Sequence, residues 1–276
     1  MKRVFPRPPS KEPRIANQII AIAGKGGVGK TTISVLMLKS FIQQGIEYIL
    51  MVDADPATNV PDLVGVKNAK TVADATDWLH KNILKLPPEF DKNRWLESQV
   101  FRVLVEEDDF DLLTLGAIEK EGCYCMINNM LTQILDATVE NYPLTIMDMV
   151  AGLEHLNRRT AKRLDALYIV TDASQMGLHT ARRINELVPK VHIEIGKTFL
   201  VANRLESRNI EEKIAKFAAM NNLTFVASVP FDPLVQEFNF EGKPLLELPE
   251  DSKAYQVVRD IVKRTFLPKL IPESYA

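Results

Sequence analysis

The sequence has little that would place the protein in a membrane or on nucleic acid. Its 276 residues contain no apolar run approaching the roughly 20 residues that a membrane helix needs. Charges nearly balance, with 34 Lys and Arg against 36 Asp and Glu, so the net charge of -2 leaves no basic excess to attract a polyanion. We therefore expect a cytoplasmic protein that has neither a membrane nor a nucleic acid as a partner.

Cysteine is also scarce, since only Cys123 and Cys125 occur. A disulfide between residues two positions apart would be strained, and stabilising disulfides are rare in the cytoplasm. A structural disulfide is thereby excluded, and the two thiols are expected to be either inert or metal ligands.

What the sequence does contain is a regular alternation of short apolar runs and helical periods from Ile19 onward, which predicts parallel strands with crossover helices. We predict an α/β fold, with a single doubly wound, mostly parallel β-sheet flanked by helices. Residues 18–276 are expected to form one domain, preceded by a flexible tail over residues 1–17, where prolines recur. Between residues 56 and 111 the pattern is least clear, with helical candidates around Trp78 and Trp95.

The apolar runs and helical periods predict the following elements. The predicted strands are Ile19–Ala23, Tyr48–Val52, Leu112–Leu115, Leu144–Met147, Ala166–Val170, Phe199–Ala202 and Phe225–Val229. The predicted helices are Thr31–Gln44, Met126–Thr138, Leu156–Leu164, Thr180–Leu187, Ile210–Asn221 and Ser252–Arg264.

A glycine-rich segment with the spacing of a Walker A loop follows the first predicted strand. Its glycines let backbone amides converge on phosphate oxygens, and the helix that begins at its end adds positive potential. Lys30 is expected to reach the β and γ phosphates, and the Thr31 hydroxyl to bind Mg²⁺. The predicted loop residues are Gly24, Lys25, Gly26, Gly27, Val28, Gly29, Lys30, Thr31 and Thr32.

Acidic residues end two further predicted strands. Asp53 and Asp55 follow the second strand, where ligands bind at the carboxyl edge of open α/β sheets. Asp148 ends another strand, and Gly152 lies four positions later, which is the pattern of a Walker B strand and a switch loop. Asp148 is expected to bind the magnesium shell, and the Gly152 amide to contact the γ phosphate.

The loop resembles that of the SIMIBI class of ATPases, in which the lysine at the position of Lys25 crosses the interface of a nucleotide-sandwiched dimer. This resemblance implies that the nucleotide is ATP, that Asp55 orients the attacking water and that Asp53 holds Mg²⁺ through water. It also places Asn203 and Pro230 at the adenine base. The expected catalytic residues are therefore Lys25, Lys30 and Asp55.

Cys123 and Cys125 lie between a predicted strand and a predicted helix, so in an extended backbone both sulfurs would point to one side. Two ligands are too few for a closed thiolate site, but a twofold dimer would supply four. Such sulfurs suit zinc, nickel, copper(I) or an iron-sulfur cluster, and the residues alone do not choose among these.

Together with the segment from Met147 to Lys162, the Cys-Tyr-Cys run resembles the CooC-type nickel-insertion ATPases. The resemblance covers nearly the whole chain from Gln18. It implies an ATP-hydrolysing homodimer that holds Ni²⁺ or Zn²⁺ on Cys123 and Cys125 of both chains. The implied client is carbon monoxide dehydrogenase or acetyl-CoA synthase. Val150 departs from that family, which has a second glycine in the switch loop.

Two other classes use the same phosphate chemistry. An iron-sulfur ATPase, either an electron donor resembling the nitrogenase iron protein or a cluster scaffold, would hold its cysteines farther apart in sequence. A positioning ATPase resembling MinD would carry a C-terminal amphipathic membrane helix, which Pro268 and Pro272 would interrupt here.

Overall fold

The computed structural model describes residues 17–117, 125–150, 163–190, 193–205 and 207–266, with the backbone alone at 125–129. The strands are β1 (Gln18–Gly24), β2 (Ile49–Asp53), β3 (Val105–Glu106), β4 (Phe110–Thr114), β5 (Leu144–Asp148), β6 (Arg163–Thr171), β7 (Glu194–Leu205) and β8 (Thr224–Pro230). The helices are α1 (Lys30–Gln43), α2 (Val60–Val64), α3 (Val72–Asn82), α4 (Lys92–Val103), α5 (Cys125–Glu140), α6 (Gln175–Leu187), α7 (Arg208–Met220), α8 (Pro233–Glu241) and α9 (Lys253–Thr265). Short 3-10 turns occupy Val188–Lys190 and Leu245–Glu247.

All eight strands form one sheet in the order β3-β4-β2-β5-β1-β6-β7-β8. Every neighbouring pair is parallel except β3 with β4, at one edge. The register aligns Ile22 of β1 and Asp53 of β2 with Asp148 of β5. The strand ends that carry the predicted site residues therefore lie at one edge of the sheet.

Helices cover both faces of the sheet, as the doubly wound prediction requires. One apolar core lies between the sheet and α1, α2 and α9, and includes Leu36, Phe41 and Val258. A second core on the opposite face packs α3 to α7 on the sheet and includes Leu79 and Leu135. β1, β2 and β5 are buried along their whole length, which explains why their sequences are apolar runs without alternation.

The predicted fold class and all seven predicted strands are confirmed, with shifts of a few residues at their ends. The predicted helix Leu156–Leu164 falls mostly outside the described residues, and its last two positions are wrong because β6 already begins at Arg163. Among the described residues no helix combines the length and the apolar character that crossing a bilayer requires.

Candidate functional site: a phosphate loop beside buried carboxylates

The predicted phosphate loop joins β1 to α1. β1 ends at Gly24, whose φ of +147° disfavours any residue with a side chain. A Cβ at this position would lie 2.1 Å from the carbonyl oxygen of Val170 on β6. Glycine is therefore required where the chain leaves the sheet, because it alone permits this close approach.

The amino terminus of α1 is open to an anion. Gly29 occupies the N-cap position with left-handed backbone and no side-chain cap, and the first turn of this fully described helix carries no acidic residue. The first N–H groups of a helix lack partners within it, and the helix dipole adds positive potential there. Since the Lys30 side chain is buried at this same end, the loop offers both amides and an ammonium group to phosphate.

Asp148 ends β5 beside α1 and is completely buried. Its Oδ2 accepts a hydrogen bond of 2.7 Å from the hydroxyl of Thr31, and its Oδ1 accepts one of 3.0 Å from Ser34. Burial raises the pKa of Asp148 to about 6, although both hydroxyls and the charge of Lys30 oppose the rise. The structure thus brings together the predicted magnesium ligands Thr31 and Asp148.

Asp53 lies in register with Asp148 on the neighbouring strand and is equally buried. Its two oxygens accept backbone hydrogen bonds of 3.1 Å from Asp55 and 3.0 Å from Val60. Burial raises the pKa of Asp53 to about 7, and the charge of Asp148 adds to the effect of burial. Asp53 therefore organises the turn after β2, while its water-mediated contact with Mg²⁺ stays a prediction.

The donor set fits a magnesium ion. At nucleotide sites Mg²⁺ takes one or two ligands from the protein and completes its shell with phosphate and water oxygens. Thr31 and Asp148 provide adjacent oxygens, and a cation would compensate the charge that burial disfavours on Asp148. In the described part of the chain, no group of three or more His, Cys, Asp or Glu side chains forms a cage for a metal ion. A site completed by the nucleotide needs no such cage.

Asp55 is half-buried and faces the same site. Its charge contributes to the raised pKa of both Asp53 and Asp148, which requires its carboxyl group to lie near both. One oxygen accepts a 3.0 Å hydrogen bond from the Ala57 amide, which fixes the side chain at the start of the turn. This position suits the role in orienting water, which stays a prediction.

Lys25 interacts with Asp172, which follows β6. Burial on its own would raise the pKa of Asp172, but hydrogen bonds from Ser174 and the charge of Lys25 outweigh burial and hold that pKa below its ordinary value. The Lys25 ammonium group is therefore within electrostatic reach of Asp172 in the single chain. Its action on the nucleotide of a second chain stays a prediction.

Asn203 lies two residues before the end of β7, and Pro230 ends β8 at the same edge of the sheet. The Asn203 side chain is buried and donates a 2.8 Å hydrogen bond from Nδ2 to the carbonyl oxygen of Val28. This contact is with the phosphate loop itself. Contacts of Asn203 and Pro230 with an adenine base stay predictions.

Two predicted sites fall where the structure gives no description. Gly152 and Cys123 lie outside the described residues, and Cys125 begins α5 without a described side chain. The predicted γ-phosphate contact and the predicted thiolate metal site therefore stay predictions.

Three residues at this edge were missed by the sequence analysis. Ser34 holds Asp148, Arg204 donates to the carbonyl oxygen of Gly27, and Asp172 lies near Lys25. Of these three, Ser34 alone could have been predicted from the sequence, since it lies three positions after Thr31 and therefore on the same face of α1. The other two meet the loop through tertiary structure.

Comparison with known proteins agrees with this geometry. The sequence profile of the CobQ/CobB/MinD/ParA nucleotide-binding domain, CbiA, matches residues 19–245. The chain belongs to this family. A relative from Methanocaldococcus jannaschii, described as an uncharacterized ATP-binding protein, is 38% identical over 248 residues, which is 89% of this chain and 97% of the relative.

Two further comparisons bear on function and fold. The carbon monoxide dehydrogenase accessory protein CooC of Rhodospirillum rubrum is 28% identical over 253 residues, which is 83% of this chain and 89% of that protein. The septum site-determining protein MinD of Pyrococcus horikoshii, solved with Mg-ADP, superposes with a TM-score of 0.65 at 19% identity and covers 90% of this chain and 95% of its own. At that identity the second comparison establishes the fold alone.

Proposed function

We propose that this CbiA-family protein is an ATP-hydrolysing, metal-binding homodimer that inserts nickel into the active-site cluster of carbon monoxide dehydrogenase or acetyl-CoA synthase. The observation that carries the ATPase part is the 2.7 Å hydrogen bond between Thr31 and buried Asp148 at the open amino terminus of α1. Phosphoryl transfer to water needs positioning and charge stabilisation more than covalent chemistry, and this site supplies both.

In the proposed reaction, ATP and water give ADP and phosphate. The amides of the loop and of α1 bind the phosphates, and Lys30 neutralises charge on the β and γ groups. Thr31 and Asp148 would hold Mg²⁺, which neutralises phosphate charge when bound. Asp55 orients the attacking water, Gly152 contacts the γ phosphate, and Asn203 and Pro230 lie at the base.

The metal part of the proposal rests on Cys123 and Cys125 and on the similarity to CooC. β4 ends at the nucleotide edge of the sheet, and α5 begins at Cys125. Two chains closing over two ATP molecules, with Lys25 acting across the interface, unite four sulfurs around nickel or zinc, which is the cargo. Hydrolysis loosens the interface and lowers the metal affinity.

α9 does not supply the membrane helix that the positioning alternative requires. This amphipathic helix buries its apolar face, which includes Tyr255, Val258 and Ile261, in the core it shares with α1. That face is therefore unavailable to a lipid surface within the folded protein.

The test of the metal site is the metal content of anaerobically purified protein, compared with that of a Cys123→Ala, Cys125→Ala double variant. We expect one nickel or zinc ion per wild-type dimer and none in the double variant, with ATP hydrolysis retained in both. Equal metal content in the two proteins would refute the thiolate site. Four iron atoms with sulfide per dimer would instead favour an iron-sulfur ATPase.

A further inference from the structure

The phosphate loop is held from outside by two consecutive residues of β7. Asn203 Nδ2 donates to the carbonyl oxygen of Val28 at 2.8 Å, and Arg204 donates from its guanidinium group to that of Gly27 at 3.2 Å. Two neighbouring side chains thus bind two neighbouring carbonyl groups of the loop. These contacts join β7 to a loop that lies more than 170 positions earlier in the chain.

Arg204 reaches the loop because the strand is irregular at this point. The register between β7 and β8 shifts between Asn203 and Leu205, and Arg204 has a φ of +57°. A left-handed backbone is uncommon for a residue with a side chain, and a bulge of this kind redirects the side chain that it carries. The bulge lets Asn203 and Arg204 act on the same loop, although successive side chains of a regular strand point to opposite faces.

Holding these two carbonyl groups in place also fixes the direction of the N–H group in the same peptide unit. In a trans peptide unit the C=O of one residue and the N–H of the next point in opposite directions. With the Val28 and Gly27 carbonyls turned towards β7, the N–H groups of Gly29 and Val28 face away from it. The Val28 amide makes a long contact of 3.5 Å with the carbonyl oxygen of Lys25. Converging loop amides of this kind form a phosphate site.

The loop sequence is matched to this arrangement. A Cβ on Gly29 would lie 2.3 Å from Asn203 Nδ2 and 3.9 Å from Arg204 Nε. A side chain at position 29 would therefore displace the Asn203 amide from Val28. The glycine thus serves the contact with β7 as well as the start of α1.

We infer that Arg204 is a positioning residue that, together with Asn203, orients the phosphate-loop amides for binding the nucleotide phosphates. The inference rests on the proposed nucleotide function and adds a residue to it. It assigns Arg204 to the phosphate end of the ligand and to the loop backbone, with no contact to the base.

The test compares two ligands, Mg-ADP and Mg-pyrophosphate, by titration calorimetry. Pyrophosphate carries the phosphates without the base, so a loop-positioning residue affects both ligands equally. Arg204→Gly removes the side chain while glycine keeps the left-handed backbone. We expect about a tenfold loss of affinity for both ligands, with an unchanged melting temperature of the nucleotide-free protein. The exposed Arg208 at the start of α7 supplies the charge-matched control, and Arg208→Ala is expected to bind like the wild type.

A second variant restores a donor of similar reach. Arg204→Lys keeps an N–H donor long enough for the Gly27 carbonyl, so it is expected to retain affinity within about threefold for both ligands. This comparison also applies if Arg204→Gly lowers the melting temperature. A Lys variant as weak as the Gly variant, or a loss for Mg-ADP alone, would overturn the inference. Unchanged binding by Arg204→Gly would overturn it too, whereas a wild type that binds neither ligand contradicts the proposed function itself.

Discussion

At the scale of single residues, the site is defined by how a buried carboxyl group is kept ready for a cation. Asp148 has no exposed surface, and the Thr31 and Ser34 hydroxyls and the nearby Lys30 partly offset the effect of burial on its pKa. A buried charge with incomplete compensation gains most from a bound ion. Ser34 contributes to this balance although it touches neither phosphate nor magnesium in the proposed mechanism.

Ser34→Ala is expected to weaken the response of the ATPase to Mg²⁺. The variant loses a hydrogen bond that lowers the pKa of Asp148, so more of this carboxyl group is protonated near neutral pH, and Mg²⁺ must displace that proton. We expect the Mg²⁺ concentration for half-maximal hydrolysis to rise about two- to tenfold, and more at pH 6 than at pH 8, with kcat at saturating Mg²⁺ changing less than about threefold. Ser40→Ala is the control, since this buried serine of the same helix is bonded to Gln44 and lies away from the site. Equal Mg²⁺ profiles for the two variants would contradict the role of Ser34.

Gly24→Ala is expected to lower the free energy of unfolding by about 3 kcal/mol or more. The added methyl group would meet the Val170 carbonyl oxygen, and the backbone φ of +147° is itself unfavourable for alanine. Gly26→Ala is the matched control, because a Cβ there has no atom within 4 Å and no positive φ to adopt. Urea unfolding of the nucleotide-free proteins measures both. If the two variants lost similar stability, the close approach of β1 to β6 would not be what requires glycine.

At the scale of elements, the sequence predicts those strands and helix starts that depend on a local residue pattern. Buried strands such as β1 and β5 are unbroken apolar runs, and the glycine-rich turn marks the start of α1. β3 was missed because two residues in an antiparallel edge pair give no period to detect. The α8 helix was also missed, although Asp232 followed by Pro233 is a regular helix start.

Asp232 is the element-scale feature that joins the last two helices. One oxygen caps α8 by accepting from the Leu234 amide, and the other accepts from the Ser252 hydroxyl and the Ala254 amide at the start of α9. Burial acts to raise the pKa of Asp232, but these hydrogen bonds outweigh it, so the pKa lies below its ordinary value. The carboxylate therefore stabilises the fold in its charged form.

Asp232→Asn is expected to lower the free energy of unfolding by about 1–3 kcal/mol at pH 7, because the amide cannot accept at both oxygen positions. A folded pKa below the unfolded one gives stability that is present above the unfolded pKa of about 4 and is lost as the pH falls through the folded pKa. The difference between wild type and variant should therefore stay constant from pH 7 to about pH 5 and shrink below about pH 4. Urea unfolding across this range gives the difference, and one that persisted unchanged at pH 3 would contradict this account.

At the scale of the whole molecule, the sheet order decides which residues meet. Periodicity gives the strands but not their neighbours, so the placing of β5 between β1 and β2 could not be predicted from pattern alone. That order brings Asp53 and Asp148 into register beside the phosphate loop. The Asn203 and Arg204 contacts, made by a distant strand, were beyond local inference for the same reason.

Lys25→Ala is expected to abolish ATP-dependent dimerisation while leaving ATP binding by the single chain within about threefold. The loop amides and Lys30 bind the phosphates within one chain, whereas Lys25 is proposed to act across the interface. Light scattering with Mg-ATP should give a dimeric mass for the wild type and a monomeric mass for the variant. Lys197→Ala, on the exposed amino-terminal half of β7, is the control and should dimerise normally. A dimeric Lys25→Ala protein would contradict the proposed interface.

The central claim is that the nucleotide state sets metal affinity through the dimer. The most direct test measures mass and bound nickel together, in anaerobic protein with Mg-ATP or Mg-ADP, using Asp55→Asn to slow hydrolysis. The account predicts a dimer with one tightly bound ion in ATP, and weaker binding by at least tenfold in ADP. Equal nickel affinity in the two nucleotide states, with dimerisation still responding to ATP, would contradict the coupling and leave only an ATP-dependent switch.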